Sequence, residues 1–120
     1  NTPSTIKLDS TYLNTIDKWI PIISFSQKFN DLIDKEINHK SKISSLAVDL
    51  NKINKDNIPV EFKISPIIGR LRVLKTFILK IDSYLLKNDN LEEYTADLRS
   101  LLESYNALIY QINLRAKEIS

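Results

Sequence analysis

Glu36, Ile37, Asn38 and His39 spell E-x-x-H, a spacing that turns both polar side chains to one side of a helix. Paired copies of this motif hold di-iron centres inside four-helix bundles. The chain carries one copy and its only histidine is His39, so half of such a ligand set is missing. Glu36 is expected instead to pair with Lys40 at the favourable i, i+4 spacing. Nucleophilic catalysis is equally short of parts, because without Cys the usual pairings reduce to His39 with some Ser and a carboxylate. Nothing in the spacing brings those groups together. Asp31, Asp34 and Glu36, or Glu92, Glu93 and Asp97, have the residue type for two-carboxylate hydrolysis, but on helix faces such charges read as solvated. Gly69 is the only glycine, which excludes a Gly-rich phosphate loop. No catalytic, metal or cofactor-binding residue is expected, and the chain reads as non-enzymatic.

Arg70, Arg72, Lys75 and Lys80 crowd one stretch and invite a phosphate-binding reading. Their helical angles disagree: Arg72 and Lys80 share a polar strip, whereas Arg70 and Lys75 flank an apolar stripe. Long basic stems at such borders cover apolar surface while their heads stay in water. The formal charge of +2 also lacks the excess that accompanies binding to phosphate backbones, so a small nucleic-acid-binding domain ranks behind protein partners.

The elements that must position these residues are helical. One glycine and four prolines are too few for the sharp turns of a sandwich, barrel or doubly wound sheet. A hydrophobic content of 42% against 27% charged residues is that of a folded chain rather than a disordered one. Residues 65–88 carry apolar side chains almost all round: Ile67, Leu71, Leu74, Ile78, Ile81 and Leu85 form a central stripe, widened by Val73, Phe77 and Tyr84 on one flank and Ile68, Leu79 and Leu86 on the other. A helix of this kind needs neighbours on at least two sides. Ser65 is its expected N-cap, with Pro66 at the first helical position.

Helices are predicted over residues 10–38, 41–55, 66–88 and 91–119. Asp9 or Ser10 caps the first, Pro21 kinks or breaks it near Trp19, and Trp19 is expected in the core at that bend. A heptad-like seam runs through Ile22, Phe25, Phe29, Leu32, Glu36, His39, Ile43, Leu46, Leu50 and Ile53, which keeps one long helix and coiled-coil dimerisation open as alternatives. Asn90 and Glu93 form a capping box for the last helix, which makes an antiparallel hairpin with its predecessor. Between the second and third helices Ile58, Val60, Phe62 and Ile64 alternate with polar residues or proline, the period of an extended segment. Either this segment is a strap laid across a groove, or it is an edge strand offered to a partner.

On the last helix Leu91, Tyr94, Leu98, Leu101, Tyr105, Leu108, Ile112 and Ile119 line one side. Opposite them stand Ala96, Ala107, Tyr110 and Leu114, a weaker apolar line that faces either a partner or another helix of the bundle. The fold expected over residues 1–120 is all-α, one antiparallel three- or four-helix bundle with a C-terminal hairpin and an extended connecting segment. A start at Asn1 rather than Met suggests a piece of a larger protein. No apolar run reaches the ~20 residues of a membrane span, and the absence of Cys and of N-x-[ST] sequons leans intracellular, in cytoplasm or nucleus. The leading function expected is an adaptor or assembly module binding another protein, a helical one, with a homodimer open. By architecture alone the bundle is similar to the N-terminal regulatory bundle of syntaxin-like, SNARE-type membrane-traffic proteins, which is the alternative reading.

Overall fold

The computed structural model describes residues 4–35, 39–85 and 91–120, with side chains outside 33–41 and 84–95. Glu36 of the E-x-x-H motif, the flanking Leu86 and the expected turn at 88–90 lie outside the described residues, as does the side chain of His39. Five α-helices make an all-α bundle: α1 Leu13–Ile16, α2 Ile20–Lys35, α3 His39–Asn51, α4 Ser65–Leu85 and α5 Leu91–Ile119. Two 3-10 turns, Ser10–Tyr12 and Val60–Phe62, complete the described elements.

The predicted first helix is two helices, and proline chemistry explains the break. A continuous helix would press the Pro21 ring against the carbonyl of residue 17. Instead α1 closes with the Asp17 N–H on the Leu13 carbonyl at 2.8 Å, and the Trp19 carbonyl accepts from the Ile22 and Ile23 amides at 3.2 and 3.4 Å. Pro21 thereby falls in the first turn of α2, where its missing N–H has no helical partner to lose. The Asp9 carboxylate caps the leading 3-10 turn through the Thr11 N–H.

The α4 start lies one residue earlier than expected. The Ile64 carbonyl accepts from the Ile67 and Ile68 amides at 3.1 and 2.9 Å, so Ser65 is already helical and Pro66 still occupies the first turn. Along α4, Ile67, Leu71, Leu74, Ile78 and Ile81 are buried between α3 and α5, its two main neighbours. The flanks are less enclosed than their composition implied. Val73 and Leu79 remain 47% and 49% exposed, because two neighbours cover two sides and leave the third to water.

Every described member of the heptad-like seam, Ile22, Phe25, Phe29, Leu32, Ile43, Leu46, Leu50 and Ile53, is buried in the one core. That seam is used inside the chain. Closure between α2 and α5 depends on aromatic side chains: Tyr105 stacks on Phe29 with centroids 3.9 Å apart and planes 11° from parallel, and meets Phe25 at 6.2 Å.

The extended reading of 57–64 is corrected. The Phe62 amide bonds the Pro59 carbonyl at 2.9 Å, Lys63 bonds Val60 at 3.2 Å, and Ile64 bonds Phe62 at 2.9 Å across Lys63 at φ −85° and ψ 63°. A 3-10 turn followed by an inverse γ-turn rotates alternate residues apart. Ile58 and Phe62 are buried, Ile64 is half-buried and Val60 is 79% exposed. Phe62 meets Trp19 at 5.8 Å, so this turn locks onto the α1–α2 bend, and Trp19 is fully buried as expected.

Candidate functional site

Helix α5 is the element on which the candidate surfaces converge. Its 29 residues give a rod about 43 Å long at 1.5 Å per residue, and one face supplies Leu101, Leu102, Tyr105, Leu108, Ile109, Ile112 and Ala116 to the core. The opposite face carries Ala107, Tyr110 and Leu114 at i, i+3 and i+7, with Tyr110 57% and Leu114 40% exposed. Ala96 is exposed as well but stands about 16 Å up the helix from Ala107, with exposed Arg99 and Glu103 between them. The structure therefore gathers three of the four residues into one patch and leaves Ala96 apart. Of the segment expected as an edge strand, Ile58 and Phe62 are core residues and Val60 alone stands in solvent, so no strand edge is offered there.

Beside that patch lies an arrangement that the residue pattern did not reveal. Asn106 accepts the Ile6 N–H at 2.8 Å and donates to the Ser4 carbonyl at 2.9 Å. One heptad on, Asn113 accepts the Asp9 N–H at 2.8 Å and donates to the Lys7 carbonyl at 3.0 Å. Each carboxamide thus reads one backbone N–H and the carbonyl two residues before it, through its acceptor oxygen and donor nitrogen. A signal was present: asparagine is a poor helix former that competes for backbone bonds, and two of them two turns apart on one helix need a reason. Arg115 continues the theme by donating from Nε to the Glu61 carbonyl at 2.7 Å. The Glu61 carboxyl, held below its usual range chiefly by the Lys18 ammonium at 2.6 Å, ties the same turn to the α1–α2 bend.

The buried polar groups have structural roles. Ser26 Oγ and the Tyr105 hydroxyl lie 2.6 Å apart between α2 and α5, and burial pushes the Tyr105 phenol up to about 12. A hydroxyl that holds its proton this firmly is a pin, the reverse of an activated nucleophile. Asp97, read from sequence as solvated, is buried against Lys80 at 3.2 Å. Its other oxygen meets no hydrogen-bond partner among the described residues. Three of the four basic residues are engaged within the fold: Arg70 donates to the Pro66 carbonyl, Lys75 to the Ile53 carbonyl just past α3, and Lys80 to Asp97, while Arg72 is exposed. Burial holds the Lys75 ammonium below the usual lysine range.

Neither a family model, a curated protein nor a solved structure matches the chain.

Two grooves indent the described surface. One of about 320 Å³ between α2 and α3 is lined by Lys28, Asp31, Lys42, Ser45 and Leu46, beside the Lys28–Asp49 ion pair at 2.6 Å. The other, about 160 Å³, has Ile58, Ile68 and Leu71 as an apolar floor and Lys55, Arg72 and Lys75 at its rim. Among the described residues no three His, Cys, Asp or Glu side chains gather as a metal set, and no helix is long and apolar enough to cross a membrane.

Proposed function

We propose that the chain is a non-enzymatic α-helical protein–protein interaction module, an adaptor or assembly piece of an intracellular multiprotein complex. The observation that supports this reading is the exposed Ala107–Tyr110–Leu114 patch on a helix whose other face is committed to the core from Leu101 to Ala116. Tyr110 and Leu114 lie one turn apart, the spacing at which a helix from another protein inserts its own side chains, and an aromatic ring beside a leucine makes a compact anchor. Near-balanced charge favours a partner met through shape and apolar contact over one held by long-range attraction.

The test is capture from a lysate of the source cell by the purified chain and by its Tyr110→Ala, Leu114→Ala double variant, with nuclease and high-salt arms. A defined protein set that survives both arms and is lost from the variant is the expected result. A set indifferent to the two substitutions, or loss of everything under nuclease, overturns the reading.

A further inference from the structure

We propose that Asn106 and Asn113 form a side-chain clamp for an extended polypeptide backbone, and that residues 4–9 are its displaceable occupant in cis. The inference deepens the docking reading, on which it rests, by naming the chemistry of one part of the partner.

The geometry has a repeat. Seven residues separate the asparagines, about 10.5 Å along α5, and three residues separate the bonded positions of the strap, Ser4 and Ile6 from Lys7 and Asp9. A β-strand presents the same backbone edge every second residue, so a three-residue step does not suit it. A polyproline-II chain turns once per three residues with a rise of about 3.1 Å each, or roughly 9 Å per turn, which nearly matches the spacing of the clamp. Asp9, at φ −71° and ψ 115°, lies near that conformation. All four hydrogen bonds go to backbone atoms, so the clamp reads conformation and the positions of N–H groups rather than side-chain identity.

The strap is also lightly held. Of the strap's two apolar side chains, Leu8 packs against the core and Ile6 is 40% exposed. Segments with few buried apolar contacts open at a small fraction of the global unfolding free energy. Tyr110 lies between the asparagines in an i, i+4, i+7 row with them, so a partner docking on Tyr110 lies against the strap and competes for the clamp. The occupant in trans is a polyproline-II segment of a partner protein with amide N–H groups three residues apart and an apolar residue just before the second, as Leu8 stands before Asp9. Such segments are ordered before they bind, which lowers the entropy lost on docking.

The probe is a fluorescein-labelled peptide with the sequence of residues 1–10, titrated by anisotropy against full-length chains. Ile6→Pro removes the N–H that Asn106 accepts and so loosens the strap in cis. That chain should bind the peptide at least tenfold more tightly than the unaltered chain, and Asn106→Ala with Asn113→Ala added should abolish binding. In the peptide, proline at position 6 should weaken binding about tenfold, while proline at neighbouring position 5, where no N–H is clamped, should leave it unchanged. Equal binding to both chains, survival of binding without the asparagines, or equal effects of the two prolines overturns the proposal. Hydrogen exchange on the unaltered chain gives an independent reading should Ile6→Pro fail to fold. The Ile6 and Asp9 amides should open at least a hundredfold more often than that of Leu108, and opening as rare as Leu108's overturns displaceability. The two readings fail separately: clamp-dependent peptide binding without Tyr110-dependent capture removes the docking patch alone, and capture without peptide binding removes the clamp alone.

Discussion

The Tyr105 hydroxyl sits where a phenylalanine would pack as well, and its partner is a single hydroxyl, Ser26 Oγ at 2.6 Å. Removing one member leaves the other buried and unpaired, whereas removing both leaves an apolar contact. Ser26→Ala is therefore expected to cost about 1–3 kcal/mol, and adding Tyr105→Phe should restore most of that loss in urea denaturation. The same tyrosine carries a pH signature. Its phenol titrates near 12 in the folded chain against an ordinary 10.0, so the folded state holds the proton more firmly. Its contribution is complete below pH 10 and is lost as pH rises from 10 to 12, roughly 3 kcal/mol in all. Urea midpoints followed across that window should fall more for the parent than for Tyr105→Phe, and parallel curves would contradict the assignment. At this scale the residue types were readable, but partnership was not. Tyr105 lay on the expected core stripe, yet the identity of its partner 79 positions away depends on how α2 crosses α5.

Among the elements, α4 buries one stripe between two neighbours, and Leu74 and Ile78 on it are 0% and 1% exposed. An unpaired carboxylate there costs several kcal/mol, about the whole stability of a small domain, so Leu74→Asp or Ile78→Asp should abolish cooperative thermal unfolding. A cooperative melt like the parent's would refute the central position of α4. The connecting turn discriminates more finely. An extended strap would use Val60 and Phe62 alike, whereas the 3-10 turn buries Phe62 and leaves Val60 79% exposed. Phe62→Ala should cost about 3–5 kcal/mol and Val60→Ala no more than about 0.5, read as shifts in the chemical-denaturation midpoint. Helix boundaries were legible where chemistry is local: Pro21 marks the break, Pro66 the start of α4, and Asp9 the first cap. The period of residues 58–64 misled because alternation records only which side chains are apolar, and a turn with i to i+3 bonds satisfies the same four residues without a sheet.

On the scale of the molecule, α5 organises the described chain as much as α4 does, since it packs on α4 and α1, clamps residues 4–9 and holds the Val60–Phe62 turn through Arg115. Its outer patch is spare to the fold. Tyr110→Ala with Leu114→Ala should shift the unfolding free energy by no more than about 1 kcal/mol, and a larger loss would return both residues to the core. Composition and the 3.6-residue period determined that the chain is all-α, which faces are apolar and that Tyr110 and Leu114 fall off the main stripe, because these properties are set within a few turns of one helix. Tertiary structure alone decided that Asp97 is buried beside Lys80, that Val73 and Leu79 meet water, and that two asparagines on α5 grip a backbone about a hundred positions away. The physical reason is range. Periodicity reports how each helix divides apolar from polar, while the partner of a polar side chain is chosen by which segments the packed bundle brings within about 3 Å of it.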